Sequence, residues 1–520
     1  MSFLFKILSL LAYFMLSSCL VGPNYHEPKK KVTRYWLKNS PAVKIAPIQN
    51  ANWWKVFRDP NLTCLIYKGY HDNLSLQIAG VKVLQARAQL AQSVGELYPQ
   101  QQALVGNYTY YRIGGSQFQS ILPPNFETAA LGFTASWELD FWGKYRRAIL
   151  ANDALFLASL AAYDQALVTL TADIAETYMN IRTAEQQIRV TKQNIAVQTE
   201  SLRIAKSRYK GGQTSLLDVQ QAETELAETQ ASLPKYVSEV QHQKDILAVL
   251  LGTVPTDIDR FLTKSKGIPK APPTVAIGIP KEAMARRPDI YQARMEAVAE
   301  SEAIGAIAAN LYPALTLAGT FAFTANTIGK SSISDLFNWS NRTITAGPSF
   351  AWPILNYGQI TNAVRAQDAA FQQALLRYVN LVLRAQQEVQ DNITRYLEAR
   401  KAASLLTTAN IYAIKTTKLA LVRYKQGENA YTAVLDAERQ QLRIEINLVN
   451  TQGEIAKSLV ALYRSLGGGW QIRGCNDVVP LNVKATMAAR TNWGNLLKQQ
   501  NHQYPVTRNQ QIQQLYLPNW

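Results

Sequence analysis

The chain has 520 residues, 47% of them hydrophobic and 18% charged, an ordinary composition for a folded protein with room for several domains or one elongated object. Its 54 basic and 37 acidic residues give a net charge of +17, but the basic residues are scattered. With no run longer than Lys29-Lys30-Lys31, the sequence argues against a nucleic-acid-binding surface.

Lys6 precedes an apolar stretch from Ile7 to Leu16, suited to a signal-peptide core and too short to span a bilayer. Leu16-Ser17-Ser18-Cys19 follows, which is similar to the bacterial lipobox. That resemblance implies a signal peptide over 1–18 and a diacylated Cys19 as the mature N-terminus. Leu20 in place of Asp implies sorting to the outer membrane. No later stretch offers about 18 uninterrupted apolar residues, so no transmembrane helix is expected. Cys64 and Cys475 are the other cysteines; in an oxidising periplasm they either pair or remain thiols.

Pro23, Pro28, Pro41 and Pro47 mark residues 20–50 as an extended segment. A helix is predicted from about Asp72 to Leu97, ended by Pro99. Leu131, Phe133, Ala135, Trp137 and Leu139 then alternate with smaller or polar residues, a strand with one apolar face. Gln102 to Ile113 is its looser partner, with Gly114-Gly115 and Pro123-Pro124 in the turn. From Lys144 to Lys210 there is no Pro and no Gly. Leu160, Leu167, Ile174, Ile181, Ile188, Ile195, Leu202 and Tyr209 hold one heptad position there, which predicts a very long supercoiled helix. The position three residues later is mixed, running Tyr163, Leu170, Thr177, Ala184, Thr191, Gln198 and Ala205, as expected of a helix in a wall with one wet face. Gly211 and Gly212 suit positive φ at its end, and Thr214-Ser215 can cap the returning helix.

The same order then repeats. Leu97-Tyr98-Pro99 returns as Leu311-Tyr312-Pro313, offset by 214. Phe141-Trp142-Gly143-Lys144 returns as Asn356-Tyr357-Gly358-Gln359, and Arg208-Tyr209-Lys210-Gly211-Gly212 as Arg423-Tyr424-Lys425-Gln426-Gly427, both offset by 215. Such a period is too long for a solenoid unit of roughly 20–50 residues, so it marks two copies of a whole structural unit. Arg287-Pro288-Asp289 opens a short helix, with Pro near its first position. Leu315 to Thr324 and Ile344 to Trp352 alternate as strands, each about the length of a tilted strand crossing an outer membrane. Trp137, Trp142, Trp352 and Tyr357 stand at strand ends, where an interfacial girdle lies. Gln359 to Gln426 is the second long helix, with Asn410 and Thr417 in its patchier seam; Gly427 ends it and Asn429 can cap the next.

The body of the chain resembles the TolC-like outer membrane factors, specifically the lipoprotein branch serving resistance-nodulation-division pumps. The resemblance rests on Cys19-Leu20-Val21-Gly22-Pro23-Asn24-Tyr25, Trp137 to Gly143, Arg287-Pro288-Asp289-Ile290, Gly347-Pro348 through Ile354 and both Arg-Tyr-x-x-Gly turns. It covers residues 19 to about 470. It implies a mostly α fold with membrane β, in which a homotrimer closes a twelve-stranded β-barrel continued by a periplasmic α-helical tunnel. The divisions are then a signal peptide 1–18, a lipidated segment and collar 19–71, repeat one 72–265 and repeat two 266–470. In repeat one the β-hairpin is expected at about 101–140 and the long helices at about 144–250; in repeat two, at about 314–353 and 358–465. The extension 471–520, rich in Gln and Asn, is read as largely disordered.

The resemblance also implies function: an outer-membrane channel of a tripartite efflux system, a passive duct for small toxic compounds. Its partners are a periplasmic adaptor and an inner-membrane transporter, with no nucleic acid. Metal-ion efflux or protein secretion through the same fold is the runner-up. A lipid-anchored coiled-coil scaffold without a pore is the reading that the period-two strands oppose. No catalytic constellation, metal site or cofactor is expected beyond the lipid on Cys19; His26, His71, His242 and His502 stand in no metal-ligand spacing with the cysteines. By resemblance, Asp218 holds neighbouring hairpins together through Tyr424, Asp436 lines the innermost constriction, and Gly211, Gly212 and Gly427 mark the tips that dock the adaptor. Asn429 and Thr432 depart from the charged and bulky apolar residues common in relatives. Convergence of both termini on the collar would bring Cys64 near Cys475.

Overall fold

The computed structural model describes residues 20–29, 31–36, 41–44, 51–114, 123–262, 267–329, 331–498, 504 and 515–518. The signal peptide and Cys19 lie outside the described residues. In chain order the elements are β1 (Val43–Lys44), α1 (Pro60–Asp72), α2 (Leu74–Gly95), β2 (Gln101–Arg112), β3 (Asn125–Leu139), α3 (Lys144–Lys210) and α4 (Leu216–Leu250). A linker carries β4 (Val275–Ala276) and α5 (Pro280–Arg286). The second repeat is α6 (Pro288–Ala308), β5 (Ala314–Asn326), β6 (Arg342–Ala351), α7 (Gln359–Gln426) and α8 (Tyr431–Ser465), followed by α9 (Leu481–Ala488).

The duplication is structural. α3 and α7 have 67 and 68 residues, each roughly 100 Å of helix. Each starts on a left-handed glycine, Gly143 at φ 81° and Gly358 at φ 83°. Each is flanked by a short helix near the sheet (α2, α6) and a 35-residue return helix (α4, α8). The repeated Leu-Tyr-Pro has a purpose too. Trp137 Nε1 donates to the Leu97 carbonyl at 3.1 Å, and Trp352 Nε1 to the Leu311 carbonyl at 3.0 Å, tying each strand end to the helix before it.

The four long strands form one antiparallel sheet in the order β2-β3-β5-β6. Register puts Leu104, Phe133, Phe321 and Ile344 in one row, and Trp137, Leu317 and Pro348 in another of the same parity. The alternate rows hold Thr134, Thr320 and Thr345, and Glu138, Thr316 and Ser349. One face is therefore large and apolar and the other small and polar. β2 and β6 are the sheet's edges.

The main core lies where the long helices meet the collar. Val43 pairs with Val275 in a two-stranded parallel sheet, and Trp53 stacks on Tyr463 at 5.4 Å between ring centroids. One window of α3 is long and apolar enough to cross a bilayer, but 61% of it is buried inside the protein, which makes α3 a core helix.

Two expectations need correction. On α3 the apolar seam is buried from Leu160 to Ile181, then half-buried at Ile188, Ile195 and Leu202. The mixed position is buried from Tyr163 through Thr191 and Gln198 to Ala205. The partners of α3 change along its length, from α2 and α6 to α4 and α8, so its polar residues near the turn face a neighbouring helix and not a wet surface. The extension after 470 is ordered over its described part: the turn at Gly494–Leu497 packs beside α2, where Arg87 donates to the Leu496 carbonyl at 2.7 Å, Arg473 pairs with buried Asp164 at 2.8 Å, and Tyr504 donates to the same carboxylate at 2.6 Å. A buried carboxylate needs such partners, which fixes the segment. Cys64 and Cys475 are both exposed. The two segments do converge, since Tyr70 lies near Asn476 and Arg473, but Cys64 lies six residues back along α1, about 9 Å of helical rise away.

Candidate functional site at the turns of the helical hairpins

The α3–α4 hairpin lies against the α7–α8 hairpin, and polar side chains bridge them in a ladder. Nearest the turns, Tyr424 Oη donates to Asp218 Oδ2 at 3.0 Å. The Arg208 guanidinium lies over the Tyr424 ring, 4.6 Å from its centroid, and the Tyr431 ring packs edge-on at 5.2 Å. Farther from the turns, Arg439 Nε donates to Glu225 at 2.6 Å and the Ser201 hydroxyl donates to Glu438. Asn194 Nδ2 then meets Glu445 at 2.6 Å, and Gln187 Nε2 meets Asn450 at 2.6 Å. Every bridge takes one residue from each repeat.

The repeated turn motif explains the first bridge. Arg208 comes from its first copy; Tyr424 and Gly427 come from its second. Gly427 has φ 85°, and a Cβ there would stand 3.4 Å from Arg208 Nη2. Gly212 at φ 71° also needs its freedom, whereas Gly211 at φ −81° does not. All three glycines are exposed at the tips. The expected caps are absent: Ser215 makes no side-chain cap bond, and Ala430, not Asn429, is the N-cap of α8. Thr214 instead donates to Asp218 in the first turn of α4.

Tyr424 is buried, and burial above all pushes its phenol up, so it remains a proton donor to Asp218 at ordinary pH. Asp218 is half-buried. Asp436 and Thr432 are exposed on the protomer and Asn429 is half-buried; none of them joins the Tyr424–Asp218 bond. Sequence reasoning thus found the first rung and missed Arg208 as its lid, and Glu225, Ser201 and Glu438 above it. The signal was the polar character of Thr191 and Gln198 at a heptad position.

At the opposite end, the segment after Cys19 is strapped to the base of the sheet. Val21 N donates to the Trp142 carbonyl at 3.1 Å. Gly22, at φ 97°, approaches Gly305 so closely that a Cβ would lie 2.5 Å from its Cα. Arg147 pairs with Glu302 at 2.6 Å and donates to Gly22 O at 3.3 Å and Asn24 Oδ1 at 3.0 Å.

The outer membrane efflux protein profile matches residues 65–253 and again 279–468, once over each repeat. The chain belongs to the outer membrane efflux protein family. It is an efflux channel protein of the outer membrane. The solvent efflux pump outer membrane protein SrpC of Pseudomonas putida is 28% identical over 490 residues, 90% of this chain and 99% of that one. The cation efflux system protein CusC of Escherichia coli O157:H7 is 26% identical over 477 residues, again 90% and 99%. The solved outer-membrane channel OprN superposes with a TM-score of 0.80 at 29% identity, covering 87% of this chain and all of that one.

Proposed function

We propose that three copies of this chain close a twelve-stranded barrel and form the outer-membrane duct of a tripartite efflux system for small toxic organic compounds. The observation that carries the assembly is the sheet itself. Its two open edges, β2 and β6, cannot stay unpaired in lipid, and its apolar face cannot stay in water. Joining β6 of one copy to β2 of the next removes both edges, and three four-stranded sheets make twelve strands. The half-buried Ile188, Ile195 and Leu202 of α3 gain a covering helix in the same step. Diacylated Cys19 anchors the N-terminus beside the strap at Trp142 and Gly22.

The turns form the inner end of the tunnel and dock a periplasmic adaptor, which links the duct to an inner-membrane transporter. Tyr424–Asp218 bridges hold that end shut, and Asp436 from three copies rings its constriction. Similarity to a solvent pump component supports organic cargo; similarity to CusC supports cation cargo as the second reading. Outer-membrane fractions should yield a trimer that resists SDS until heated. Monomers at every temperature would overturn the assembly. Deletion of the gene should sensitise cells to solvents and dyes; sensitivity to silver or copper salts alone would favour the second reading.

A further inference from the structure

We propose that Glu438 and Glu225 form a proton-operated lock between the two helical hairpins, holding the turn end closed when Glu438 is protonated and loosening it when Glu438 is charged. The proposal rests on the gate reading above and adds its regulation.

Glu438 on α8 is 2% exposed and Glu225 on α4 is 4% exposed. They come from opposite hairpins and sit above the Tyr424–Asp218 bridge. Glu225 receives Arg439, which reaches it from a half-exposed position on α8. Glu438 receives the Ser201 hydroxyl of α3 on one oxygen, while its Oε2 is buried without a hydrogen-bond partner. Gln198, one turn from Ser201, is buried with both amide atoms unpartnered. From α7, Thr417 spends its hydroxyl on the Ala413 and Ala437 carbonyls. On Glu438's own helix, Tyr431 and Arg439 are the neighbouring titratable groups. The charge that acts on Glu438 is therefore that of another carboxylate, Glu225.

Burial first, and then Glu225, pushes the Glu438 carboxyl up to about 7, against the opposing Ser201 hydrogen bond. Parting the hairpins breaks the Ser201–Glu438 and Arg439–Glu225 contacts and admits water, where a glutamate titrates at about 4.3. The closed state is the one with the raised value. Its advantage is complete below the hydrated value and is lost as pH rises through about 7. Charged Glu438 favours the parted state. Between pH 5.5 and 8 the ratio of parted to closed hairpins should rise about tenfold or more per protomer.

The test is conductance of the purified trimer in planar bilayers, with pH varied on the side of the helical turns. Wild type should conduct little at pH 5.5 and more at pH 8, with a midpoint near 7. Glu438→Gln should stay low and flat. Ser201→Ala, which removes a donor to the charged form, should move the midpoint up, and Glu225→Gln should move it down. These two shifts are readouts that a purely structural role would not produce, and they serve if Glu438→Gln fails to assemble. A flat wild-type profile, or an unchanged midpoint in Glu225→Gln and Ser201→Ala, overturns the lock. Tyr424→Phe with Asp218→Ala separates the two readings. If that variant conducts more than wild type while pH has no effect, the lock fails and the gate stands; if it conducts like wild type throughout, the gate itself fails.

Discussion

Asn73 and Arg287 occupy equivalent places in the two repeats and close the same joint with different chemistry. Asn73 Nδ2 donates to the Leu250 carbonyl at 2.9 Å, and Arg287 Nη1 donates to the Ser465 carbonyl at 2.6 Å. Each residue is the N-cap of the short helix near the sheet, and each satisfies a carbonyl at the end of the return helix. Two helices thereby stack end to end along each long helix. Arg287 does more, since it also pairs with Asp289 at 2.6 Å and with half-exposed Glu388 at 3.0 Å. The Arg-Pro-Asp string is thus a structural joint, as its capping pattern suggested.

The joint gives a stability prediction. Arg287→Ala should destabilise the protein by roughly 2–3 kcal/mol, with the exposed Glu388 pair adding little. Asn73→Ala should cost about 1–2 kcal/mol through the lost cap and the orphaned Leu250 carbonyl. Thermal dissociation of the trimer followed on gels should rank them in that order. Equal midpoints for both variants and wild type would show that neither joint bears strain.

On the gate reading proposed above, the first rung of the ladder holds the turn end closed. A phenol donating to a carboxylate contributes about 1.5–3 kcal/mol, and a trimer holds one such bond per copy. Tyr424→Phe with Asp218→Ala should therefore raise single-channel conductance. Asp436→Ala should instead reduce cation selectivity and change closure less, because it removes an exposed charge and no bond between hairpins. Reversal potentials in a salt gradient read the first effect separately from the second; a selectivity unchanged by Asp436→Ala means that residue lines no constriction.

The sheet's two faces can be read chemically. Leu317, Phe321, Phe350 and Trp137 should face lipid, and Thr316, Thr320 and Ser349 should face water, because paired residues in an antiparallel sheet share a face. Cysteines introduced singly at the second set should react with a membrane-impermeant thiol reagent, and those at the first set should not. Equal labelling of both sets contradicts a barrel wall.

Lipidation is tested at its source. Cys19→Ser should abolish palmitate incorporation and leave the signal peptide uncut at this site. Radiolabel incorporated equally by variant and wild type would show that the lipobox pattern is incidental.

The sequence alone determined the duplication, the strands and the extent of the long helices. Each is a local or periodic property: alternation marks the apolar sheet face at Phe321 and Phe350, and absence of Pro and Gly lets α3 and α7 run unbroken. Through the family resemblance it also singled out Asp218 and Tyr424, beside the recurring turn motif. Only the tertiary structure decided which side of α3 is inside. Near the turns that helix buries Thr191, Gln198 and Ser201 against the other hairpin and leaves Leu202 half-buried. A heptad pattern reports how apolar a stripe is, but not which neighbour it meets. The bridges from Ser201 to Glu438 and from Arg439 to Glu225 join residues more than two hundred positions apart. The fate of the segment after 470 was hidden for the same reason. Its order comes from Asp164, a charge on a distant helix that burial obliges to find partners in Arg473 and Tyr504.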